Sequence, residues 1–417
     1  MEGIVTEKKK SFFEAFLFVC VFLACMMPRY ISTFKLHVGI DISLFTMAVI
    51  FTWVWYVRKI KVYRHIESWF FVLWFVYVVV QVWRVVKVGV WGAYVDWTFT
   101  TILFIQLLYY GDRKRVFECA FRAMLCGWVL HLLIGLYEIT AHRYVFGVGE
   151  FSARYYGVTP VSVFHNPNDY ATFVVTVMPI AAGVLIRSRR KLSNPVLVIL
   201  MGIAVVLVLR GESRAGFLTM LLYLAGIVYL YWRKSAKNKV ITFLGVVAAL
   251  AVCLTVAPVR QYIVNILQNN SIDAESGTDT ARLNLIRNGL YFLKETHGFG
   301  VGAGNLYYWL TEKSIYYIGG LAFIHNWYVE LLVTFGVLFF AFYAFLHGKI
   351  IVKLVRGYRK DEGFFNLNNT LLISFVGFTL MSISSSSNIY SEWVWMYLAL
   401  SATFCMYNSR KEWGSDL

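Results

Sequence analysis

Long apolar stretches recur along this chain from near its N-terminus to near its C-terminus. Each runs for about 17 residues or more, the length at which a helix crosses a hydrocarbon core roughly 30 Å thick. A single stretch would fit a membrane anchor on a soluble domain, but repetition along the whole sequence does not. Because 59% of the residues are hydrophobic and only 15% are charged, water cannot be the main solvent of this chain. We therefore predict an all-α, polytopic membrane protein.

The hydropathy pattern predicts about twelve transmembrane helices. We expect them near residues 11–28, 38–57, 68–83, 96–110, 116–138, 166–186, 194–210, 215–232, 240–257, 325–348, 366–385 and 391–407. The first stretch follows Lys8–Lys10 as a signal peptide would, but it lacks a small-residue cleavage site and is interpreted as an uncleaved helix. The chain then divides into helices 1–9 (residues 1–257), a long loop (258–324) and helices 10–12 (325–417).

Lysine and arginine residues fall unevenly on the two sides of this arrangement. Loops on the side of the N-terminus carry 25 of the 39 basic residues, whereas the other side carries eight in short loops and five in the long loop. Cytoplasmic loops of membrane proteins carry such an excess. Both termini should therefore be cytoplasmic, with the long loop on the extracytoplasmic face of the membrane. The net charge of +16 is explained by membrane topology, and we predict no nucleic-acid partner.

No metal site or cofactor is predicted. All six cysteines lie within or beside apolar runs and show no paired metal-ligand spacing, so they are interpreted as packing residues. The acidic residues Asp273, Glu275 and Asp279 of the long loop lack the spacing of an EF-hand calcium loop. A solvated surface explains them better.

The long loop draws attention because loops of this length in compact proteins are usually functional. Behind a cap at Thr278–Thr280, the segment up to Glu295 places leucine and isoleucine at helical intervals, which predicts an amphipathic helix on the membrane surface. Alternating glycines follow in residues 298–304. They permit close backbone approach to a ligand or a tight turn. They lack the βαβ context of a dinucleotide fingerprint.

Three ionisable residues stand at predicted helix ends on the extracytoplasmic face, namely Arg214, Arg282 and His325. Each has a structural alternative. Arg214 is placed to snorkel toward lipid headgroups or to pair with Glu212. Arg282 is also explained as a surface charge on an interfacial helix. His325 is also explained as a residue at a helix end that has no further role. Their combination around one outer loop is more specific than any of them alone.

The surrounding motifs resemble those of the O-antigen ligase and polymerase family. They are Ser213-Arg214-Ala-Gly-Phe-Leu at a helix start, Arg282 before the glycine stretch, His325-Asn326 before Thr334-Phe-Gly336, and Phe164-His-Asn-Pro-Asn-Asp-Tyr-Ala171. The likeness covers residues 160–345, and the first 150 residues match in hydropathy only. It implies a glycosyltransferase type C-like membrane fold in which Arg214 and Arg282 hold the donor diphosphate and His325 acts on the acceptor hydroxyl.

Those residue types suit the implied chemistry. Departure of a lipid diphosphate leaves charge on the bridging oxygen, and two guanidiniums can stabilise it with bidentate contacts in place of a metal ion. A neutral histidine is the simplest general base for a sugar hydroxyl. Single displacement then inverts the anomeric centre, so the resemblance implies a metal-independent, inverting glycosyltransferase.

Further polar groups are possible substrate-binding residues, each with a structural alternative. They are His165, Asn166, Asn168, Arg210, Arg287, Asn305, Asn326 and Glu330. Asn166 before Pro167 also fits a helix cap, and Arg287 also fits a lipid-headgroup contact or a structural role. Glu330 is expensive inside a membrane helix and is placed to orient His325 or to pair with an arginine.

The resemblance implies transfer of a glycan from undecaprenyl diphosphate to an acceptor glycan, among membrane lipids, on the outer face of the inner membrane. A polysaccharide polymerase (for O-antigen, capsule, exopolysaccharide or teichuronic acid) is favoured over an O-antigen ligase, whose acceptor is a lipid A core. A transporter or flippase is a third alternative. Transporters often show inverted repeats and broken helices near the midplane, and the sequence shows no repeat. A structural scaffold would not need two arginines and a histidine around one loop.

Overall fold

The computed structural model describes residues 2–27, 33–35, 41–59, 65–146, 159–164, 166–188, 193–232, 278–320, 323–359, 362, 366–385 and 388–408. These residues are almost entirely helical. Within them, β-structure is confined to β1 (Thr33–Lys35) and β2 (Asp41–Ser43), which pair antiparallel. The predicted all-α class is therefore confirmed for the described part of the chain.

Most of the described residues lie in α-helices. In chain order the α-helices of the described residues are α1 (Glu2–Cys25), α2 (Leu44–Tyr56), α3 (Ile66–Val80), α4 (Val88–Tyr110), α5 (Arg113–Ala141), α6 (Pro167–Ser188), α7 (Ser193–Arg210), α8 (Arg214–Trp232), α9 (Thr278–Glu295), α10 (Leu306–Glu312), α11 (Trp327–Phe335), α12 (Val337–Arg356), α13 (Leu367–Met381) and α14 (Glu392–Asn408). Short 3-10 turns occupy Gln81–Arg84 and Asn388–Tyr390.

Apolar length identifies several of these helices as candidate membrane spans. Four are long and apolar enough to cross a bilayer, namely Ile66–Arg84, Arg113–Ala141, Pro167–Ser188 and Val337–Arg356. Shorter apolar helices are Leu44–Tyr56, Pro195–Arg210 and Leu367–Met381. The chain is therefore an integral membrane protein by its helices, as predicted. The predicted span at 240–257 lies outside the described residues.

One predicted helix is wrong. The sequence pattern predicts a single helix over 325–348, but the structure has two, α11 and α12, which meet at Gly336. Gly336 has φ +86°, and a Cβ there would lie 2.5 Å from the carbonyl oxygen of Gly298. Backbone from the long loop therefore occupies the space that a continuous helix with a side chain would need.

The two ends of the helical bundle differ in character. At one end, Lys353 and Lys349 of α12 place their Nζ atoms 2.6 and 3.2 Å from Oε1 of the fully buried Glu67, and Arg187 donates to Thr370 at 3.2 Å. We call this the basic end. A buried carboxylate needs such partners to offset its desolvation.

The other end gathers the starts of α6, α8, α11 and α14, and we call it the site end. The backbone N–H of Trp327 donates to the carbonyl of Ser382 at 2.9 Å, which joins the start of α11 to the end of α13. A Cβ on Gly211, after α7, would lie 3.8 Å from Cβ of Pro167, at the start of α6. Residues distant in sequence thereby meet at this end.

Candidate functional site

Helix α9 packs directly on α11, and this contact positions the candidate residues of the long loop. Gly289 lets the two helices approach closely, because a Cβ there would lie 2.9 Å from Val333 and 3.1 Å from Ile324. Leu285 and Ile324 are buried together in one small apolar cluster. Since Arg282 precedes Leu285 by one turn and His325 follows Ile324, the packing brings Arg282 and His325 together.

The segment after α10 is tied to the same helix by side-chain amides. Asn288 is buried and accepts from the backbone N–H groups of Ile315 and Tyr316 at 2.9 and 3.0 Å. It also donates to the carbonyl of Tyr316 at 2.9 Å, and Asn284 donates to the carbonyl of Tyr317 at 2.9 Å. Leu283 and Leu290 point away from this contact and are about half exposed, at 47% and 49%. The predicted helix is present as α9, and its place on the membrane surface stays a prediction.

His325 sits in a constrained position before α11. Its φ is +57°, a conformation that costs an ordinary side chain energy. Its Nδ1 is buried and has no hydrogen-bond partner among the described residues. Burial, and secondly the positive charge of Arg282, lower the pKa of His325 to about 4. The imidazole is therefore neutral at physiological pH, with a nitrogen that can accept a proton.

The alternating glycines form a strap of residues 298–304 that packs on backbone. Gly298, Gly300, Gly302 and Gly304 all have positive φ. Strap N–H groups of Val301 and Gly302 donate to the carbonyls of Val333 and Thr334 at 2.8 and 3.0 Å. Of the two roles predicted for these glycines, the tight turn is the one the structure shows.

Side chains from the segment before α4 hold the strap from its other side. Gln81 accepts from Ala303 N–H at 2.8 Å, and Arg84 donates to the carbonyl of Gly300 at 3.0 Å. Asn305 is buried, accepts from Val86 N–H at 3.0 Å and donates to the carbonyls of Arg84 and Val301. Asn305 is thus engaged in holding the loop together, and its predicted substrate contact stays a prediction.

Gly300→Ala should destabilise the protein by about 2–4 kcal/mol, since it adds left-handed strain to a close backbone clash. A Cβ there would lie 2.6 Å from the backbone nitrogen of Gly336 and 2.7 Å from the carbonyl oxygen of Thr334. The matched control is Gly348→Ala in α12, where an added Cβ would meet no atom of the described residues within 4 Å apart from its own helix backbone and chain neighbours. Thermal unfolding in detergent measures both. Equal melting temperatures for the two variants would contradict the packing described for the strap.

Arg214 reaches the site end from another direction. The turn between α7 and α8 places Glu212 at φ +49°, and Ser213 accepts from Gly216 N–H at 3.3 Å, which caps α8. Arg210 ends α7, Arg214 begins α8, and both side chains are exposed. The contact between this turn and Pro167 places both arginines beside the start of α6.

A chain of partly buried hydrogen bonds links the start of α6 to the start of α11. Asn166 caps α6, accepting from Asp169 N–H at 2.9 Å and donating to its carboxylate at 2.6 Å. Oγ of Ser385 lies 3.0 Å from that carboxylate and 2.6 Å from Oδ1 of Asn388, and these two acceptors share its single proton. Asn388 in turn donates to the hydroxyl of Ser382 at 3.2 Å, whose carbonyl holds Trp327. The network therefore fixes the start of α6, beside which Arg214 lies, relative to the start of α11, which His325 precedes.

The structure gives contacts for three of the remaining predicted residues. Asn326 caps α11 by accepting from two backbone N–H groups, each at 3.1 Å. Arg287 is exposed, donates to Asn284 at 3.4 Å and lies 5.9 Å from the ring centroid of Tyr316. Glu330 is fully buried on α11, close enough to Tyr94 and Tyr390 to interact electrostatically with both.

The side chain of Asn168 takes no part in the contacts given above for the described residues. The backbone carbonyl of Asn168 accepts from Thr172 inside α6 at 2.7 Å, and the side chain of Asn168 is half-buried. His165 lies outside the described residues. Their substrate-binding roles therefore stay predictions.

For the loop between α13 and α14, the sequence favours a solvated segment at Ser384–Asn388 and Glu392, with the lining of a saccharide groove as the alternative. The structure buries part of this loop. Ser385 and Asn388 are each only 1% exposed. A serine-rich loop ordinarily indicates a solvated segment, so composition points away from their burial. The sequence does carry one signal for this burial, since Asn388 and Glu392 flank two apolar residues. That cluster is too short to interpret alone.

Comparison with known proteins bears directly on this site. Residues 196–344 match the O-antigen ligase family model. The matched range contains Arg210, Arg214, Arg282, His325 and Glu330, so the resemblance inferred from the motifs is confirmed. The chain is also 27% identical over 367 residues to the teichuronic acid biosynthesis protein TuaE of Bacillus subtilis (strain 168), an alignment that covers 83% of this chain and 75% of that protein. Both matches support a membrane enzyme of the O-antigen ligase and polymerase type.

Proposed function

We propose that this protein transfers a glycan from an undecaprenyl diphosphate donor to an acceptor glycan on the extracytoplasmic face of the membrane. His325 beside Arg282 is the observation that carries the proposal. A buried, neutral imidazole next to a guanidinium joins a proton acceptor to an anion-binding group. An exposed histidine at a helix end would be protonated in part at neutral pH and would need no such neighbour.

In the proposed reaction the acceptor hydroxyl attacks the anomeric carbon of the donor sugar. Its proton passes to the imidazole of His325 while the bond between the anomeric carbon and the diphosphate oxygen breaks. The diphosphate leaves with the bonding electrons, and Arg282 and Arg214 stabilise the charge that develops on it. One displacement on the face opposite the leaving group inverts the anomeric configuration. The proton acceptor and the two cations are all supplied by the protein, so no metal ion is required.

A polymerase is the favoured version of this activity. The curated relative is described as a teichuronic acid biosynthesis protein, and a protein that builds such a polymer acts on repeat units rather than on a lipid A core. An O-antigen ligase is the second candidate, because the family model carries that description. The two differ in the acceptor and share the same donor chemistry.

Purified protein in liposomes, supplied only with the host's lipid diphosphate-linked repeat unit, should form longer lipid-linked glycans and release one undecaprenyl diphosphate for each new glycosidic bond. Activity should survive EDTA. A product that appears only with lipid A core present would favour the ligase. Movement of the lipid-linked unit across the bilayer without a new bond would contradict the proposal and favour a flippase.

We further propose about twelve spans with both termini cytoplasmic and the site end outside. The concentration of Lys349, Lys353 and Arg187 at the basic end supports this orientation. The exposed side chains of Lys313, in the long loop, and Arg356, at the end of α12, offer a matched pair of labelling positions. In intact cells a membrane-impermeant maleimide should label Lys313→Cys and not Arg356→Cys, with native Cys126 replaced by serine. The reverse pattern would invert the topology.

A further inference from the structure

Three aromatic rings from separate segments form a row that ends beside the candidate site. Tyr307 of α10 lies 6.4 Å from Phe323, and Phe323 lies 5.8 Å from Tyr390, between ring centroids. Tyr307 is 38% exposed, and the two inner rings are half-buried. The row therefore leads from solvent into the protein.

Both ends of this row are held by neighbours. The ammonium of Lys87 lies 4.6 Å from the ring centroid of Tyr307, a contact that favours one orientation of that ring. At the inner end, Tyr94 and Trp97 lie 6.0 and 5.7 Å from Tyr390, each edge to face. These contacts favour one orientation of the Tyr307 and Tyr390 rings, which lowers the entropy that a ligand binding along them must remove.

The inner end of the row adjoins the groups assigned to catalysis. Phe323 precedes His325 by two residues in the same short segment. Tyr390 interacts electrostatically with Glu330, which lies on α11 beyond His325. A chain lying along the three rings would thus deliver its end to the neighbourhood of the imidazole.

We propose that Tyr307, Phe323 and Tyr390 form the subsite for the acceptor saccharide, an inference that rests on the proposed function. One face of a pyranose ring presents only C–H groups, which pack on aromatic faces, while its hydroxyls remain available to tyrosine hydroxyls and water. A polyprenyl chain would instead need a surface that faces lipid. The acceptor rather than the donor is assigned here because the row approaches the proton-accepting His325, whereas the donor is held through its diphosphate.

Binding of an oligosaccharide without diphosphate tests the subsite separately from catalysis. The probe is the repeat oligosaccharide released by mild acid from the host's own lipid-linked unit, titrated into purified protein by calorimetry. Tyr307→Ala and Phe323→Ala should each raise its Kd about 3- to 10-fold, the range expected for loss of one aromatic contact. Tyr307→Trp should retain binding. Tyr317→Ala, which removes a tyrosine that is 70% exposed on the neighbouring loop, should leave the Kd unchanged.

The outcomes separate this inference from the proposed function. A Kd that neither Tyr307→Ala nor Phe323→Ala changes, in variants with native helical content, would overturn the subsite even if the enzyme transfers glycan normally. Absence of oligosaccharide binding to the unaltered protein would overturn it too. Binding that depends on Tyr307 and Phe323, without formation of any glycosidic bond, would leave the subsite standing and remove the transfer activity.

Discussion

His325→Asn should lower the rate of glycan transfer by about 10²- to 10⁴-fold, the usual cost of removing a general base. Asparagine is chosen because it tolerates the left-handed backbone conformation better than most residues, and His325 has φ +57°. The variant should therefore fold. Its amide cannot take the hydroxyl proton. Single-turnover transfer, with purified protein in excess over the lipid-linked donor, measures the effect.

The control for this prediction lies in binding and stability. Since the diphosphate is assigned to arginines, His325→Asn should bind the lipid-linked donor with near-native affinity and unfold near the native temperature. Transfer at more than about a tenth of the native rate would make His325 structural. Glu330 would then be the nearest alternative proton acceptor, and Glu330→Gln the next variant to measure.

Arg282→Lys and Arg214→Lys should each lose most activity, by about 10²-fold or more, because lysine keeps the charge and loses the planar, bidentate fork. Arg287→Lys is the matched control, since Arg287 lies on the same helix as Arg282 but is exposed and directed toward Asn284 and Tyr316. It should retain activity within a few-fold. Initial rates with the lipid-linked donor, at equal protein levels, provide the comparison.

The two arginine variants also report on whether both cations act at one site. If they bind the same diphosphate, each should weaken donor binding, and the double variant should lose less than the product of the two single losses. Full activity in either single variant would remove that residue from the diphosphate assignment. Loss confined to Arg282→Lys would leave Arg214 as a surface arginine at the start of α8.

Sequence periodicity is enough to predict most of the described helices, since an apolar run of membrane length can form few structures other than a membrane-spanning helix. It fails at 325–348, where the break at Gly336 depends on backbone from residues 298 and 299. That contact joins segments distant in sequence, and no local pattern encodes it. The sequence shows the glycines of the strap as a motif, but it does not show the backbone groups on which they pack.

For the candidate site, the sequence indicates which residue types carry the chemistry, and the structure adds how they are held. The pKa of His325 is lowered mainly by burial and secondly by the charge of Arg282. Burial follows from the packing of α9 on α11 at Gly289, which hydropathy does not reveal. The network from Asp169 through Ser385 was likewise hidden, because serine-rich composition ordinarily accompanies solvent exposure.

The central claim is that His325 acts as a neutral base, and the pH dependence of kcat/KM tests it most directly. With the pKa of His325 at about 4, the imidazole is almost wholly neutral at pH 7 and half protonated near pH 4. The rate should therefore stay level as the pH falls from 8 to about 5 and then decrease through a single protonation. A decrease centred near pH 6.5, the pKa of a free imidazole, would contradict the claim that the base is a buried His325 beside Arg282.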